Sequence, residues 1–111
     1  MSRVFCTQIP HRIDPVSGDL LQSVNINPAS EFGEVEVMMS KRASFFATNE
    51  LSKLVVEKLK DFDHDVDCLL PLGDPVLIAT VCAQLGRKHS YFDVLRWDKN
   101  LGRYTKSRVV I

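Results

Sequence analysis

The sequence has little of the residues that define special classes of fold. Its 111 residues contain only three cysteines, five glycines and five prolines. The cysteines, Cys6, Cys68 and Cys82, are too widely spaced for a disulfide framework or a zinc site. Two of them lie in apolar runs, so we expect buried free thiols and a reducing compartment.

Long apolar runs are missing as well. No stretch is long enough to span a bilayer, and the first residues lack the charged and then apolar layout of a signal peptide. We therefore expect no membrane association and a cytoplasmic location. No internal repeat or domain boundary is visible, and the length suits one domain that buries its own core.

Net charge is zero, but it is unevenly distributed. Residues 1–80 contain seven Lys and Arg against twelve Asp and Glu, whereas residues 81–111 contain seven against two. The two parts therefore have net charges of −5 and +5. A basic end of this kind can contact nucleic acid, or it can contact the acidic part of a neighbouring subunit.

The clearest local signals lie in the middle of the chain. Residues 66–72 form an apolar run that is too short for a helix, which predicts an interior strand covered on both faces. Gly73, Asp74 and Pro75 follow as a turn residue, an N-cap and a first helical residue. We expect the helix to end at Gly86, a natural residue for the position after a helix.

This helix is apolar around most of its circumference. Thr80, Gln84 and Arg87 form a narrow polar stripe, and most of the other residues of the helix are apolar. A surface helix that packs on one core needs far fewer apolar residues. We therefore predict a homodimer in which a second copy covers part of the helix. The alternative is that strands on one side and a second helix on the other suffice. The predicted interface residues are Leu77, Ile78, Val81, Cys82 and Leu85.

The remaining segments show both strand and helix patterns. We predict a single α/β domain over residues 1–111, a mixed-sheet sandwich with two main helices and a C-terminal β-hairpin. Phe45 and Phe46 are expected to pin the loop at 40–47 to the core. The other predicted elements are strands at 3–9, 20–24, 32–39, 92–97 and 103–111, and a helix at 49–60 that is capped by Thr48 or Asn49.

Two segments are candidates for binding. Gly73 and Asp74 lie where open α/β sheets place their ligands, at a helix N-terminus beyond a strand, so an anion or nucleotide site is one interpretation. Helix capping is the other, because Pro75 lacks an N–H, Asp74 adds negative charge and no glycine-rich phosphate loop is present. The C-terminal hairpin is both basic and aromatic, which predicts nucleic-acid binding if Trp97 is not a core residue. The candidate nucleic-acid contacts are Arg96, Trp97, Lys99, Arg103, Tyr104, Lys106 and Arg108.

Catalytic and metal-binding patterns are not evident. The alternating aspartates at 61–67 lack the glycine and distal glutamate of an EF-hand, so we expect a solvated loop in which Asp67 forms hydrogen bonds at the strand entrance. There is no nucleophile elbow, and none of His11, His64 and His89 is marked as a general base. We predict no catalytic residue, no metal and no cofactor.

Three segments, at 30–34 (SEFGE), 68–75 (CLLPLGDP) and 95–104 (LRWDKNLGRY), together resemble a group of small, functionally unassigned proteins of tailed bacteriophages. The resemblance is one of layout over most of the chain, and it supplies no catalytic residues. It implies a protein made in the infected bacterial cytoplasm. We therefore expect a viral accessory protein that binds a host or phage macromolecule without catalysis. The alternatives are nucleic-acid binding by the hairpin and an enzyme-like nucleotide or anion site at Gly73-Asp74-Pro75.

Overall fold

The secondary structure follows the expected alternation of strands and helices. The computed structural model describes residues 2–39 and 46–111. Helix α1 spans Thr48–Lys58, helix α2 spans Pro75–Lys88, and a short 3-10 helix spans Asn27–Phe32. The strands are β1 (Arg3–Gln8), β2 (His11–Ile13), β3 (Leu20–Gln22), β4 (Glu34–Met39), β5 (Cys68–Leu70), β6 (Tyr91–Asp98) and β7 (Arg103–Val110).

Five of the strands form one mixed sheet in the order β4-β1-β5-β6-β7. β1 pairs in parallel with β4 and β5, β5 pairs in parallel with β6, and β7 is antiparallel to β6. β5 therefore occupies the centre of the sheet, with Phe5 opposite Leu69, as its apolar sequence predicted. The mixed sheet and the C-terminal hairpin confirm the predicted fold class.

The two faces of the sheet are covered differently. Successive side chains of a strand point to opposite faces, so Phe5, Leu69 and Phe92 pack under α1 and α2. Val4, Cys6, Cys68, Leu70, Leu95 and Tyr104 form a second cluster on the other face, where Ala29 of the 3-10 helix is buried. We call this second side the far face; its cover is thinner, because an irregular segment replaces helices there.

The C-terminal end of α2 and the N-cap of α1 differ from the sequence predictions. α2 continues through Gly86 to Lys88, so the predicted stop at Gly86 is wrong. A Cβ added to Gly86 would lie 3.4 Å from the side chain of Ile111. The glycine therefore leaves room for the C-terminal residue. The N-cap of α1 is Ala47, without a side-chain hydrogen bond, because Thr48 and Asn49 already lie within the helix.

The segment between β1 and the 3-10 helix contains more structure than a loop. A strand was expected at 20–24, and β3 occupies Leu20–Gln22. Its partner β2, at His11–Ile13, was not predicted, and the two strands form a separate antiparallel hairpin. Phe46 packs against the helix-side core as expected, whereas Phe45 lies outside the described residues.

The cysteines are free thiols, as expected. Cys6 and Cys68 are buried, and Cys82 is half-buried. Burial raises the pKa of the Cys6 and Cys68 thiols to about 11, so both are protonated at neutral pH. Among the described residues, no helix combines the length and the apolar character that a bilayer crossing would require.

Candidate functional site

A cavity of about 650 Å³ opens on the far face, beyond the carboxyl ends of β5 and β6. We call it the Trp97 cavity. Its position is the one at which open α/β sheets bind ligands. β5 ends at Leu70 because Pro71 has no N–H to donate to a ladder. Leu72, which follows the strand, forms part of the cavity wall. The other apolar and aromatic wall residues are Val24, Pro28, Leu70, Pro71, Leu95, Trp97 and Tyr104.

The aromatic pair at one side of the cavity has one buried and one accessible ring. Trp97 and Tyr104 are cross-strand partners in the terminal hairpin, and their rings meet edge to face with centroids 5.0 Å apart. Tyr104 is only 2% exposed, whereas Trp97 is 47% exposed. Burial also raises the pKa of the Tyr104 hydroxyl. The ring of Trp97 is therefore accessible to a ligand, and the buried ring of Tyr104 packs against it.

The basic residues of the hairpin fall into two groups. Arg103 donates to the carboxylate of Glu31 at 2.7 Å, and Arg108 donates to Asp93 at 3.0 Å. The guanidinium of Arg108 also lies 4.2 Å from the centre of the Tyr91 ring. Arg103 therefore ties the hairpin to the 3-10 helix, and Arg108 ties β7 to β6 within the hairpin. Less of the charge of these two arginines is available to an external phosphate.

Three predicted nucleic-acid contacts keep an unpaired charge. Within the described part of the chain, Arg96, Lys99 and Lys106 are exposed and form no ion pair. Arg96 lines the Trp97 cavity, and Lys106 is the cross-strand partner of the wall residue Leu95. Of the described residues that line the cavity, none has an acidic side chain. Its surroundings are therefore apolar with a positive rim.

The Gly73–Asp74 turn forms the predicted cap. One carboxylate oxygen of Asp74 accepts hydrogen bonds from the backbone N–H groups of Val76 at 2.8 Å and Leu77 at 3.2 Å. The N–H of Asp74 itself donates to the side chain of Gln8 at 3.1 Å. These donors are the ones that a bound anion would need, so the capping interpretation explains the geometry. Ligand binding at Gly73 and Asp74 stays a prediction.

The predicted oligomer residues of α2 divide between the inside and the outside of the domain. Leu77, Val81 and Leu85 are buried in the helix-side core, so they have no surface left for a second copy. Ile78 and Cys82 are half-buried. The predicted homodimer is untested, but its contacts on α2 are limited to the outer half of the helix.

The acidic loop has a structural role at one position. Asp67 is buried and accepts hydrogen bonds from the backbone N–H groups of Arg3 at 2.9 Å and Asp63 at 2.8 Å. The expected hydrogen bonding at the strand entrance is therefore confirmed. The described residues contain no group of three or more His, Cys, Asp and Glu side chains in a metal-binding arrangement.

An aromatic cluster next to this loop was not predicted. The rings of His64 and His89 lie 4.8 Å apart, and His64 meets Tyr91 edge to face at the same separation. Burial lowers the pKa of His89, and the nearby His64 lowers it further. His64 lies far in the sequence from His89 and Tyr91, which explains why no local pattern revealed the cluster.

The fold and its cavity define a small α/β domain with one thinly covered face and an apolar cavity at the end of its central strands. The chain belongs to the Phage Pam3 gp32-like protein family, whose model matches residues 2–111. It is therefore a phage protein, as its layout indicated. No curated protein sequence and no solved structure shows a significant match to it.

Proposed function

We propose that this phage protein is an accessory factor that acts by binding a protein partner through the Trp97 cavity, without catalysis. The cavity carries the proposal: it is open, mostly apolar and placed at the carboxyl ends of β5 and β6. The phage family supports a viral role, and the proposal includes a location in the cytoplasm of the infected host.

The wall and rim of the cavity favour a particular kind of partner. An apolar side chain would be buried among Leu70, Leu72 and Leu95, and Trp97 would cover it from one side. Acidic residues next to that side chain would meet the positive rim. We therefore propose that the partner presents an apolar residue flanked by aspartate or glutamate.

Nucleic-acid binding is the second candidate, and one observation favours it. Trp97 is 47% exposed, and the unpaired side chains of Arg96, Lys99 and Lys106 belong to the same hairpin. A base could stack on this ring while the cations approach phosphates. A protein partner is preferred, because the buried Tyr104 cannot stack on a base and two of the arginines are already in ion pairs.

Comparative recovery of partners from infected cells tests the proposal. Wild-type protein, Trp97→Ala and Arg87→Glu would each be expressed with the same affinity tag during infection, and the recovered proteins would be identified and quantified. We expect a specific partner with wild-type protein and with Arg87→Glu, a charge reversal on α2, and its loss with Trp97→Ala. Equal recovery by all three variants would contradict a role for the cavity.

A gel-shift experiment with the same variants separates the two candidates. A short single strand and a short duplex would be tested at low and at physiological salt, since phosphate contacts weaken steeply as salt rises. We expect no shift that depends on Trp97. A salt-dependent shift that disappears in Trp97→Ala would favour nucleic acid as the ligand.

A further inference from the structure

The β2–β3 hairpin exposes three large apolar side chains to solvent. We call residues 11–22 the arm. Ile13 is 63% exposed, Leu20 is 65% exposed, and Val16 at the tip is 94% exposed. A two-stranded hairpin outside the main sheet is marginally stable by itself, and clustered exposed aliphatic residues mark interaction surfaces. The arm therefore has the properties of a contact element.

The tip of the arm is held in one conformation. The N–H of Asp14 donates to the carbonyl of Asp19 at 2.8 Å, and the N–H of Gly18 donates to the carbonyl of Asp14 at 2.8 Å. The carboxylate of Asp14 accepts a hydrogen bond from the N–H of Val16 at 2.9 Å. A tip that is already ordered loses little conformational freedom on binding, so its contacts translate more fully into affinity.

The charges at the tip are negative. Asp14 and Asp19 flank the exposed Val16, and the backbone hydrogen bond from Val16 lowers the pKa of Asp14. The tip therefore presents the apolar residues Pro15 and Val16 between two carboxylates. This is the chemistry that the Trp97 cavity accepts, with its apolar wall and the unpaired cations of the terminal hairpin.

We propose that the arm of one copy docks in the Trp97 cavity of a second copy, with Val16 against Trp97 and the flanking aspartates near Arg96 and Lys106. This inference rests on the proposed function of the cavity, and it names a second copy of the chain as a partner. It brings two carboxylates of the acidic part of the sequence near two cations of the basic part.

The proposed contact is head-to-tail. The arm and the cavity are different surfaces, so an open assembly has a free arm at one end and a free cavity at the other until a ring closes. This differs from the homodimer predicted on α2, in which both copies use the same surface. A tip inserted in a cavity buries less than the roughly 1,200 Å² of a standard stable interface, so association should depend on concentration.

Sedimentation velocity over a concentration series tests the proposal. We expect wild-type protein to exceed its monomer mass of 12.6 kDa as concentration rises. Val16→Asp on the arm and Lys106→Glu beside the cavity should each weaken association about tenfold or more. Both residues are exposed, so neither change disturbs the core. Val76→Asp, on the outer face of α2, is the matched control and should associate like wild-type protein.

Mixing the two defective variants gives the sharpest result. Val16→Asp retains an intact cavity, and Lys106→Glu retains an intact arm, so an equimolar mixture should form complexes of twice the monomer mass. An interface between two equivalent surfaces would not be restored in this way. The emission of Trp97, the single tryptophan of the chain, should shift to shorter wavelength in the same mixture.

Some outcomes would overturn the proposal. A mass that stays at 12.6 kDa at every concentration excludes arm docking. Association that is lost in Val76→Asp, or a mixture of variants that stays monomeric while wild-type protein associates, also rejects it. If partner recovery from infected cells still requires Trp97, the proposed function survives this failure. If recovery is independent of Trp97, the proposed function fails whatever the mass.

Discussion

Replacing Asp74 by alanine removes the carboxylate oxygen that accepts hydrogen bonds from the first backbone N–H groups of α2. Loss of an N-cap costs about 0.5–2 kcal/mol. We expect a value in the upper half of this range, because the lost oxygen serves both Val76 and Leu77, and Leu77 is fully buried. A loss of about 1.5 kcal/mol corresponds to a melting temperature about 4–9 °C lower for a domain of this size.

The N-terminus of α1 provides the opposite perturbation. Ala47 is the N-cap, and it has the extended backbone that an N-cap needs, with φ −64° and ψ 151°, but no side-chain hydrogen bond. Ala47→Asp should therefore add a missing cap and stabilise the chain by about 0.5–1 kcal/mol. The two substitutions should move the free energy of unfolding in opposite directions for the same physical reason.

Urea unfolding, followed by far-UV circular dichroism and by Trp97 emission, measures both effects. Glu50→Ala, an exposed change in the first turn of α1, serves as the control and should cost less than Asp74→Ala. If Asp74→Ala leaves the unfolding midpoint unchanged, the capping argument is refuted. If it also creates or abolishes binding of phosphate or a nucleotide, the turn is a ligand site instead.

Three further predictions concern other parts of the domain. Gly33→Ala should destabilise the chain by more than about 1 kcal/mol in urea unfolding, because φ is 145° and the new Cβ would lie 2.6 Å from the carbonyl oxygen of Ser2; an unchanged midpoint would contradict this. Burial lowers the pKa of His89 from its ordinary 6.5, so the folded chain binds fewer protons than the unfolded chain as the pH falls. The domain therefore keeps its full stability above pH 6.5, where His89 is neutral in both states, and loses stability as the pH falls below 6.5. The loss between about pH 7.5 and about pH 5.5 should be smaller in His89→Gln, and an identical pH profile would refute the assignment. Finally, an aromatic disulfide reagent at neutral pH should modify the half-buried Cys82 before Cys68, whose thiol has a pKa of about 11, and equal rates in the native protein would exclude this order.

Local patterns were enough to predict most elements of the fold. The apolar run at 66–72 predicted the central strand, and Asp74 and Pro75 predicted the start of α2, because a cap and a first helical proline act on their immediate neighbours. The turn at 98–102 likewise predicted the terminal hairpin. These signals act over a few residues, so they are readable without the fold.

Predictions that depended on distant contacts were less successful. The stop predicted at Gly86 was wrong, because the C-terminal residue Ile111 packs beside that glycine and the helix continues. The strand β2 was missed, since three exposed residues carry no clear period and become a strand only by pairing with β3. The signals available for the arm were the strand expected at 20–24 and Val16, an aliphatic residue within the turn.

The sequence by itself determined the fold class, the central strand, the N-cap of α2 and the basic character of the terminal hairpin, because composition and short-range pattern control them. Tertiary structure alone decided the order of the strands and the placement of Trp97 at the surface and Tyr104 in the core. It also decided that Arg103 and Arg108 would be used in ion pairs, whereas Lys106 forms no ion pair with the residues that the structure describes. The physical reason is that burial and pairing depend on which distant segments cover a residue, and that information lies in the packing of the whole chain.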